Sequence, residues 1–236
     1  MNTRFKLIQH GEWSYLHLPH LERSGFFHGF VTKPPPSAGE ADVRNALLAF
    51  GFESHVLMDQ EHGDEVHVIA DGEPPTAGDG LVLVENNVAG IIKTADCLPV
   101  ILYSTREPVA AIVHAGWSGT ALGIVRNAVH EMAFLGVKPQ SIGALIGPGI
   151  GPCCYEVQED VAVIFRSAGF GSDVVQARAG RLFLDLKRAN RLMLEAEDVT
   201  KIEDTELCTY CRADLFVSAR RDKGRGRQIN FVMVRG

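Results

Sequence analysis

Three short strings carry side chains that could hold a metal ion: Gln60-Glu61-His62-Gly63, Thr94-Ala95-Asp96-Cys97-Leu98-Pro99 and His114-Ala115-Gly116-Trp117. His62 and His114 offer imidazoles and Cys97 a thiolate, a donor set that suits zinc if the three converge. A fourth position left open would be catalytic, because zinc brings the pKa of a bound water to about 7. None of the three belongs to a tight C-x-x-C or H-x-x-x-H pair, so spacing alone leaves the plainer reading open, a satisfied residue at a strand end. Cys97 could equally be a small buried hydrophobe or a thiolate activated by a basic partner. Asp96 could orient an imidazole or accept a proton, or could cap a strand end. His114 closes the apolar run 109–113 and is expected to face away from bulk water.

Other strings are less specific. Gly147-Pro148-Gly149-Ile150-Gly151-Pro152 cannot be a dinucleotide fingerprint, because its prolines break the strand-to-helix turn. It is either a rigid loop bringing backbone close to a ligand or a structural turn. Cys153 and Cys154 are adjacent, badly placed for a mutual disulfide, and read as pocket wall or core. Cys208-Thr209-Tyr210-Cys211 has the spacing of a redox pair or half a zinc site. No second C-x-x-C completes a zinc knuckle, and a packed turn is preferred. His67 lies in an alternating stretch and is expected to face solvent. Arg225 and Arg227 read as exposed turn charges.

These residues need a scaffold. The runs 80–85, 88–94, 98–103 and 108–114 are short, apolar and rich in Val and Ile, with turns at 86–87 and 104–107. They predict adjacent, largely buried strands that bring Cys97 and His114 to neighbouring strand ends. Ser118 or Thr120 is expected to cap a helix with Leu122, Val125, Ala128, Val129 and Met132 on one side, ended by Gly136. Asp185 is expected to cap another with Leu186, Ala189, Leu192, Met193 and Ala196 inward. Late strands are predicted at 215–218 and 228–234. Only 33–40, with three consecutive prolines, resembles a linker, and it is too short to separate domains. One domain over residues 1–236 is therefore expected, and 46% hydrophobic residues can fill its core. A net charge of −6 without an early basic run argues against nucleic acid. No stretch reaches the roughly 20 apolar residues of a membrane span. The N-terminus lacks an apolar signal core and five cysteines do not pair evenly, so a cytoplasmic setting is expected.

The wording around the three strings is itself informative. Q-x-H-G, D-G-L-V (79–82), T-A-D-C-L-P-V, H-A-G-W, I-G-P-G-I-G-P-C-C-Y-E-V (146–157), L-C-T-Y-C (207–211) and L-F-V-S-A-R-R-D-K-G-R-G-R (215–227) follow in that order. Together they resemble the laccase-domain family, also called multicopper polyphenol oxidase-like proteins or purine nucleoside phosphorylases, from about residue 25 to 235. The resemblance implies an α/β fold of mixed sheets layered with helices, in an α/β/β/α arrangement. It implies that His62, Cys97 and His114 ligate metal, and it places an arginine, here Arg220, near the pocket where its fork could hold phosphate. The chain departs from the family at Ser118, where many relatives carry arginine, and in its short segment after Gly29-Phe30-Val31-Thr32, which carries Lys33.

The resemblance implies a zinc enzyme of purine nucleosides, with phosphorolysis of adenosine, inosine, guanosine or methylthioadenosine and deamination of adenosine. Asp96, Cys97 and His114 are the expected catalytic residues, with Asp96 carrying protons as a separate carboxylate does in other zinc deaminases. Gln60, Gly116, Trp117, Gly149 and Arg220 are the expected contacts to nucleoside or phosphate; Gly116-Trp117 would open a helix, whose N-terminus attracts anions. Copper phenol oxidation would need several coppers, and the chain has neither clustered histidines nor an H-x-H pair. Three further functions are open to these residues. They are metal-free hydrolysis with Cys97 as nucleophile and His114 as base, removal of a wrongly inserted amino acid from peptidoglycan precursors, and service as a zinc-stabilised binding module.

Overall fold

A computed structural model describes residues 4–35, 43–70 and 75–236. Residues 36–40 of the proline-led segment lie outside the described residues. The N-terminal strands are Lys6–His10 (β1), Trp13–His17 (β2), Phe26–Val31 (β3), Ser54–Leu57 (β4), Val66–Ile69 (β5) and Gly80–Leu83 (β6). The central strands are Val88–Thr94 (β7), Leu98–Ser104 (β8), Ala110–Ala115 (β9) and Ile142–Ile146 (β10). Glu156–Val157 (β11), Val175–Arg178 (β12), Arg181–Leu184 (β13), Lys201–Asp204 (β14) and Gln228–Val234 (β15) complete the set. The helices are Pro19–Arg23 (α1), Val43–Phe50 (α2), Trp117–Leu122 (α3), Ile124–Phe134 (α4), Glu159–Ser167 (α5) and Leu186–Ala196 (α6).

Two six-stranded sheets, ordered β1-β2-β3-β15-β7-β4 and β14-β10-β8-β9-β6-β5, form the centre, beside a small β11-β13-β12 sheet. Both large sheets are mixed: β4–β7, β5–β6 and β10–β14 run parallel and the other pairs antiparallel. Period-two alternation builds the layers. Phe30, Ile92 and Val232 of the first sheet meet Leu81, Ile101, Ile112 and Leu145 of the second in a shared core. The opposite parity of the first sheet packs Ile91 and Phe231 with Ala46 and Phe50 of α2. The opposite parity of the second packs Val100, Ala111 and Val113 with α4, α5 and α6. The result is the expected α/β/β/α layering. Among the described residues, no helix is long and apolar enough to cross a membrane.

Several local expectations change. The run 88–94 is a strand but belongs to the other sheet, paired with β15 and β4 rather than with its sequence neighbours. The chain therefore crosses between sheets through Ala95-Asp96-Cys97. Residues 215–218 form no strand, because Asp222 takes the Ser218 N–H and Arg221 takes the Phe216 carbonyl. Neither Ser118 nor Thr120 caps a helix: α3 starts at Trp117 after Gly116, and buried Thr120 accepts from Asn190. Gly123, at φ 96°, separates α3 from α4 and leaves Leu122 exposed. Asp185 does cap α6, accepting from the Arg188 N–H, although Ala196 ends up exposed. His67 is partly buried, with Nε2 at 3.0 Å from the Ala77 carbonyl oxygen.

One core residue carries a pH signature. His28 on β3 is 1% exposed. Its Nε2 accepts from the Leu18 N–H, so Nδ1 carries the proton donated to the Phe26 carbonyl. Burial, aided by nearby His17 and His20 and opposed by that carbonyl, pushes its pKa down to about 4. Between an ordinary 6.5 and that value the unfolded chain binds a proton that the folded chain refuses. Stability is then fully present above the ordinary value and falls as pH drops, by about 3 kcal/mol in all. Urea unfolding at pH 7 and pH 5 should show wild type losing about 2 kcal/mol more than His28→Gln over that interval. Equal losses in the two proteins would contradict this.

Candidate active site

The site is assembled around a buried carboxylate. Asp79, 1% exposed, immediately precedes β6. Its Oδ2 accepts from the N–H groups of Glu61 (3.1 Å) and Gly63 (2.8 Å), and its Oδ1 from that of His62 (3.1 Å). His62 is thereby held at φ 61°, a left-handed backbone that costs a non-glycine residue roughly 1 kcal/mol or more. Oδ1 also receives the His114 Nδ1–H at 2.7 Å. One carboxylate therefore fixes the backbone beneath one imidazole and the tautomer of the other, and His114 Nε2 is left free to ligate.

Strand register supplies the third donor. Pro99 pairs with His114 and Leu98 with Ala115, so Cys97, one residue before β8, arrives beside His114. The His62 and His114 rings stand edge-on, with centroids 4.8 Å apart. One ligand atom from each of His62, Cys97 and His114 lies within 4.8 Å of the others, a trio that could hold a metal ion. Gly116 borders the trio. A Cβ there would lie 3.3 Å from both Cys97 Sγ and His62 Cδ2. The donors thus converge on a space that is kept open by an absent side chain. Burial disfavours the Cys97 thiolate, but hydrogen bonds and charge from His114 and His62 outweigh it and bring the thiol down to about 7. Burial likewise disfavours a charged His114, but Asp79 and Cys97 outweigh it and lift the imidazole to about 9. The surroundings therefore favour a thiolate and an ionised Asp79 on either side of a protonated His114, whose proton a bound cation would displace.

The trio opens into a cleft of about 640 Å³, within the range of small-molecule sites. Its lining includes Asp59, Gln60, Lys93, Asp96, Tyr155, Arg220 and Arg227. Lys93, Arg220 and Arg227 give it three cationic side chains. The Arg220 guanidinium sits 5.5 Å from the centre of the Tyr155 ring and donates to the Glu156 carbonyl at 3.0 Å.

Asp96 lines the cleft but does not orient the imidazole. The carboxylate on the imidazole is Asp79, not Asp96. Asp96 Oδ1 accepts from Thr209 Oγ1 at 2.6 Å; Oδ2 accepts from Ser218 Oγ at 2.9 Å and from the Arg220 N–H at 2.8 Å. Those bonds hold Asp96 at φ 84° and seat Arg220 at the cleft. Behind them Arg221 donates to the carbonyls of Thr209 (2.9 Å), Tyr210 (2.8 Å) and Phe216 (2.7 Å), fastening residues 209–216.

The remaining site residues divide. Gln60 lines the cleft, but its amide exchanges two hydrogen bonds, at 2.8 and 2.7 Å, with the backbone of Lys93 and so clamps that strand end. Gly116, Trp117 and Gly149 stand behind the lining: Trp117 packs on the helix-side core, and a Cβ at Gly149 would lie 2.3 Å from Leu98 Cδ2. Arg227 is the exposed turn charge expected, donating to the Gly224 and Gly226 carbonyls, and it also borders the cleft. Asp79 and Lys93 are site residues that sequence reasoning missed. Their signals are an acid directly before a buried apolar run and a lysine interrupting one. Cys153, Cys154, Cys208 and Cys211 gather in a cluster of their own, with sulfurs within 4.8 Å of one another, rather than forming a simple packed turn.

Gly116 offers a clean test of the convergence. Its backbone, φ −71° and ψ 175°, is open to any residue. Gly116→Ala should therefore fold normally yet crowd the trio and weaken metal binding by about 10–100-fold, as changes around ligands commonly do. Unaltered affinity, measured by competition with a chromophoric chelator, would contradict this geometry.

Comparison with known proteins agrees with the fold and the motifs. The family described as multi-copper polyphenol oxidoreductase laccase matches residues 29–235. A purine nucleoside phosphorylase of Deinococcus radiodurans is 40% identical over 193 residues, covering 81% of this chain and 74% of the relative. A protein from an unknown prokaryotic organism, named adenosine deaminase RL5, is 32% identical over 189 residues, covering 74% of this chain and 72% of the relative. The crystal structure of the hypothetical protein YfiH of Bacillus licheniformis superposes with a TM-score of 0.86 at 30% identity, covering 98% of this chain and 99% of the other. With its layered sheets, its ordered motifs and these matches, the chain belongs to the multi-copper polyphenol oxidoreductase laccase family.

Proposed function

We propose that this protein is a zinc-dependent enzyme of purine nucleosides that catalyses phosphorolysis and the deamination of adenosine. The observation that carries the reading is the placement of a two-imidazole, one-thiolate trio in a cleft lined by three cations. Relatives named purine nucleoside phosphorylase and adenosine deaminase support it. One thiolate and two imidazoles suit zinc and leave a position for substrate. When bound there, zinc supplies Lewis acidity and a water acidified toward neutrality.

The protein's own groups account for the rest. Asp79 takes the Nδ1–H of His114, so Nε2 is the nitrogen left to ligate once a cation displaces its proton. Arg220, Lys93 and Arg227 bind the phosphate dianion, Arg220 through the planar fork that matches phosphate oxygens. Tyr155 offers an aromatic wall against which a purine can stack. In phosphorolysis, a phosphate oxygen forms the bond to ribose C1′ as the bond to the purine nitrogen breaks, giving free base and ribose 1-phosphate. In deamination, water adds at C6 and ammonia leaves, giving inosine. Asp96, engaged by Thr209, Ser218 and Arg220, acts in this scheme by positioning Arg220. We place the protein in the cytoplasm as a small-molecule enzyme without nucleic-acid or membrane partners.

Product analysis separates the two reactions. Zinc-loaded protein should convert adenosine to inosine without phosphate, and should release free base and ribose 1-phosphate when phosphate is added. Arg220→Ala should raise the KM for phosphate about tenfold or more, the loss of one charge-assisted contact. Phosphate-free deamination should stay near wild type. Untouched adenosine, inosine and methylthioadenosine would defeat the reading and favour a metal-free hydrolase, for which Cys97 Sγ within 4.8 Å of a nitrogen of each imidazole is the relevant geometry.

A further inference from the structure

Four cysteines play no part in the cleft chemistry, yet they converge. Cys153 and Cys154 come from the turn after the Gly/Pro loop, Cys208 and Cys211 from the loop after β14. In sequence the two pairs are more than fifty residues apart, and only the second has C-x-x-C spacing. The isolated bridge between Gly149 and Cys208, with the Thr209 N–H donating to the Gly149 carbonyl at 3.0 Å, lays the two loops side by side. All four sulfurs then fall within 4.8 Å of one another. Cys211 Sγ lies 3.7 Å from Cys153 Sγ and 3.4 Å from Cys154 Sγ. None of the cysteines is in a disulfide.

These separations select among ligands. Zinc–thiolate bonds of about 2.3 Å in a tetrahedron put sulfurs about 3.8 Å apart. A disulfide needs its sulfurs at about 2.0 Å. Sulfurs so close together leave room for one ion among them, not for a cluster of irons and sulfides. We infer that Cys153, Cys154, Cys208 and Cys211 form a second metal site, a closed tetrathiolate that takes a single zinc ion.

The surroundings suit such a site. Four adjacent thiols cannot all ionise without a cation, because like charges at this range repel strongly. As the ion binds, each S–H gives its proton to solvent and each sulfur forms one bond to zinc, leaving a doubly negative centre. The Gly151 N–H donates to Cys208 Sγ at 3.2 Å, a bond to sulfur that offsets part of this charge. Two guanidinium groups hold the neighbouring carbonyls: Arg178 that of Pro152, and Arg221 those of Thr209 and Tyr210. With four protein ligands and no open position, the site is structural rather than catalytic. It ties together two walls of the cleft. One loop carries Ile150 and Tyr155 into the lining, and the other carries Thr209 onto Asp96. The C-C and C-x-x-C strings of this chain thus act together as one clamp, and the adjacent pair stands where a second C-x-x-C was lacking.

The test needs no assumption about nucleosides. The full chain is purified in reductant with zinc present, and bound metal is counted by native mass spectrometry. Variant His62→Ala/Cys97→Ala removes two donors of the first trio. It should still hold one zinc, and cobalt(II) in its place should give the intense sulfur-to-metal charge transfer of a tetrathiolate. Adding Cys208→Ser/Cys211→Ser should abolish both signals. Because the first measurement leaves the four cysteines intact, misfolding of the serine variant would not leave the matter open. A His62→Ala/Cys97→Ala protein without tight metal would overturn the inference. So would metal that survives the serine changes, or a mass lighter by two hydrogens in the reduced preparation, marking a disulfide. Wild-type metal lost only on changing His62 and Cys97 would support the first site and exclude the second.

Discussion

The carboxylate of Asp79 is the contact on which the site depends. It is buried at the start of β6, accepts three successive backbone N–H groups from residues 61–63 and holds His114 by its Nδ1. A buried carboxylate is costly unless such donors surround it. Here burial raises its pKa, and the His114 and backbone hydrogen bonds more than offset this, keeping it below the ordinary range. The same bonds sustain the left-handed backbone of His62. Removing the charge would therefore release both imidazoles at once, one through its backbone and one through its ring.

A second acid does comparable work on the other wall. Asp96 lies where the chain crosses between the sheets, also in a left-handed conformation, and its three donors come from Thr209, Ser218 and Arg220. Strain next to the donor residues is thus balanced on each side by a carboxylate that collects N–H and O–H groups. The sheets supply rigidity: β8 and β9 are buried throughout, and their register alone brings Cys97 and His114 together. Loops then add His62, Arg220 and Arg227, while β7 contributes Lys93, so the site joins two donors fixed by strand ends to groups carried on loops.

Much of this is legible in the residues. Apolar runs with β-branched side chains mark β6 to β9 to within a few residues, and the Asp185 cap marks α6. The strings around His62, Cys97 and His114 carry the family. Pairing across the chain is not legible in the same way. Nothing local in 88–94 says that it joins the sheet opposite 98–104, because both are mainly apolar and the choice is made by β15 arriving from the C-terminus. Asp79 and Asp96 are alike as acids beside apolar strands; only three-dimensional convergence shows which one faces an imidazole. Residues 215–218 have strand-like composition, but side-chain hydrogen bonds from Arg221 and Asp222 claim their backbone instead. The four-cysteine cluster is hidden for the same reason, since adjacency of Cys153 and Cys154 gives no spacing motif.

The most direct measurement is zinc affinity in Asp79→Asn set beside Asp96→Asn. A carboxamide has a single acceptor oxygen and cannot serve both His114 and the three N–H groups of residues 61–63. The predicted result is a loss of about 10–100-fold for Asp79→Asn, with a much smaller change for Asp96→Asn. Unchanged affinity in Asp79→Asn, or an equal loss in the two variants, would contradict the claim that this one carboxylate organises the metal-binding trio.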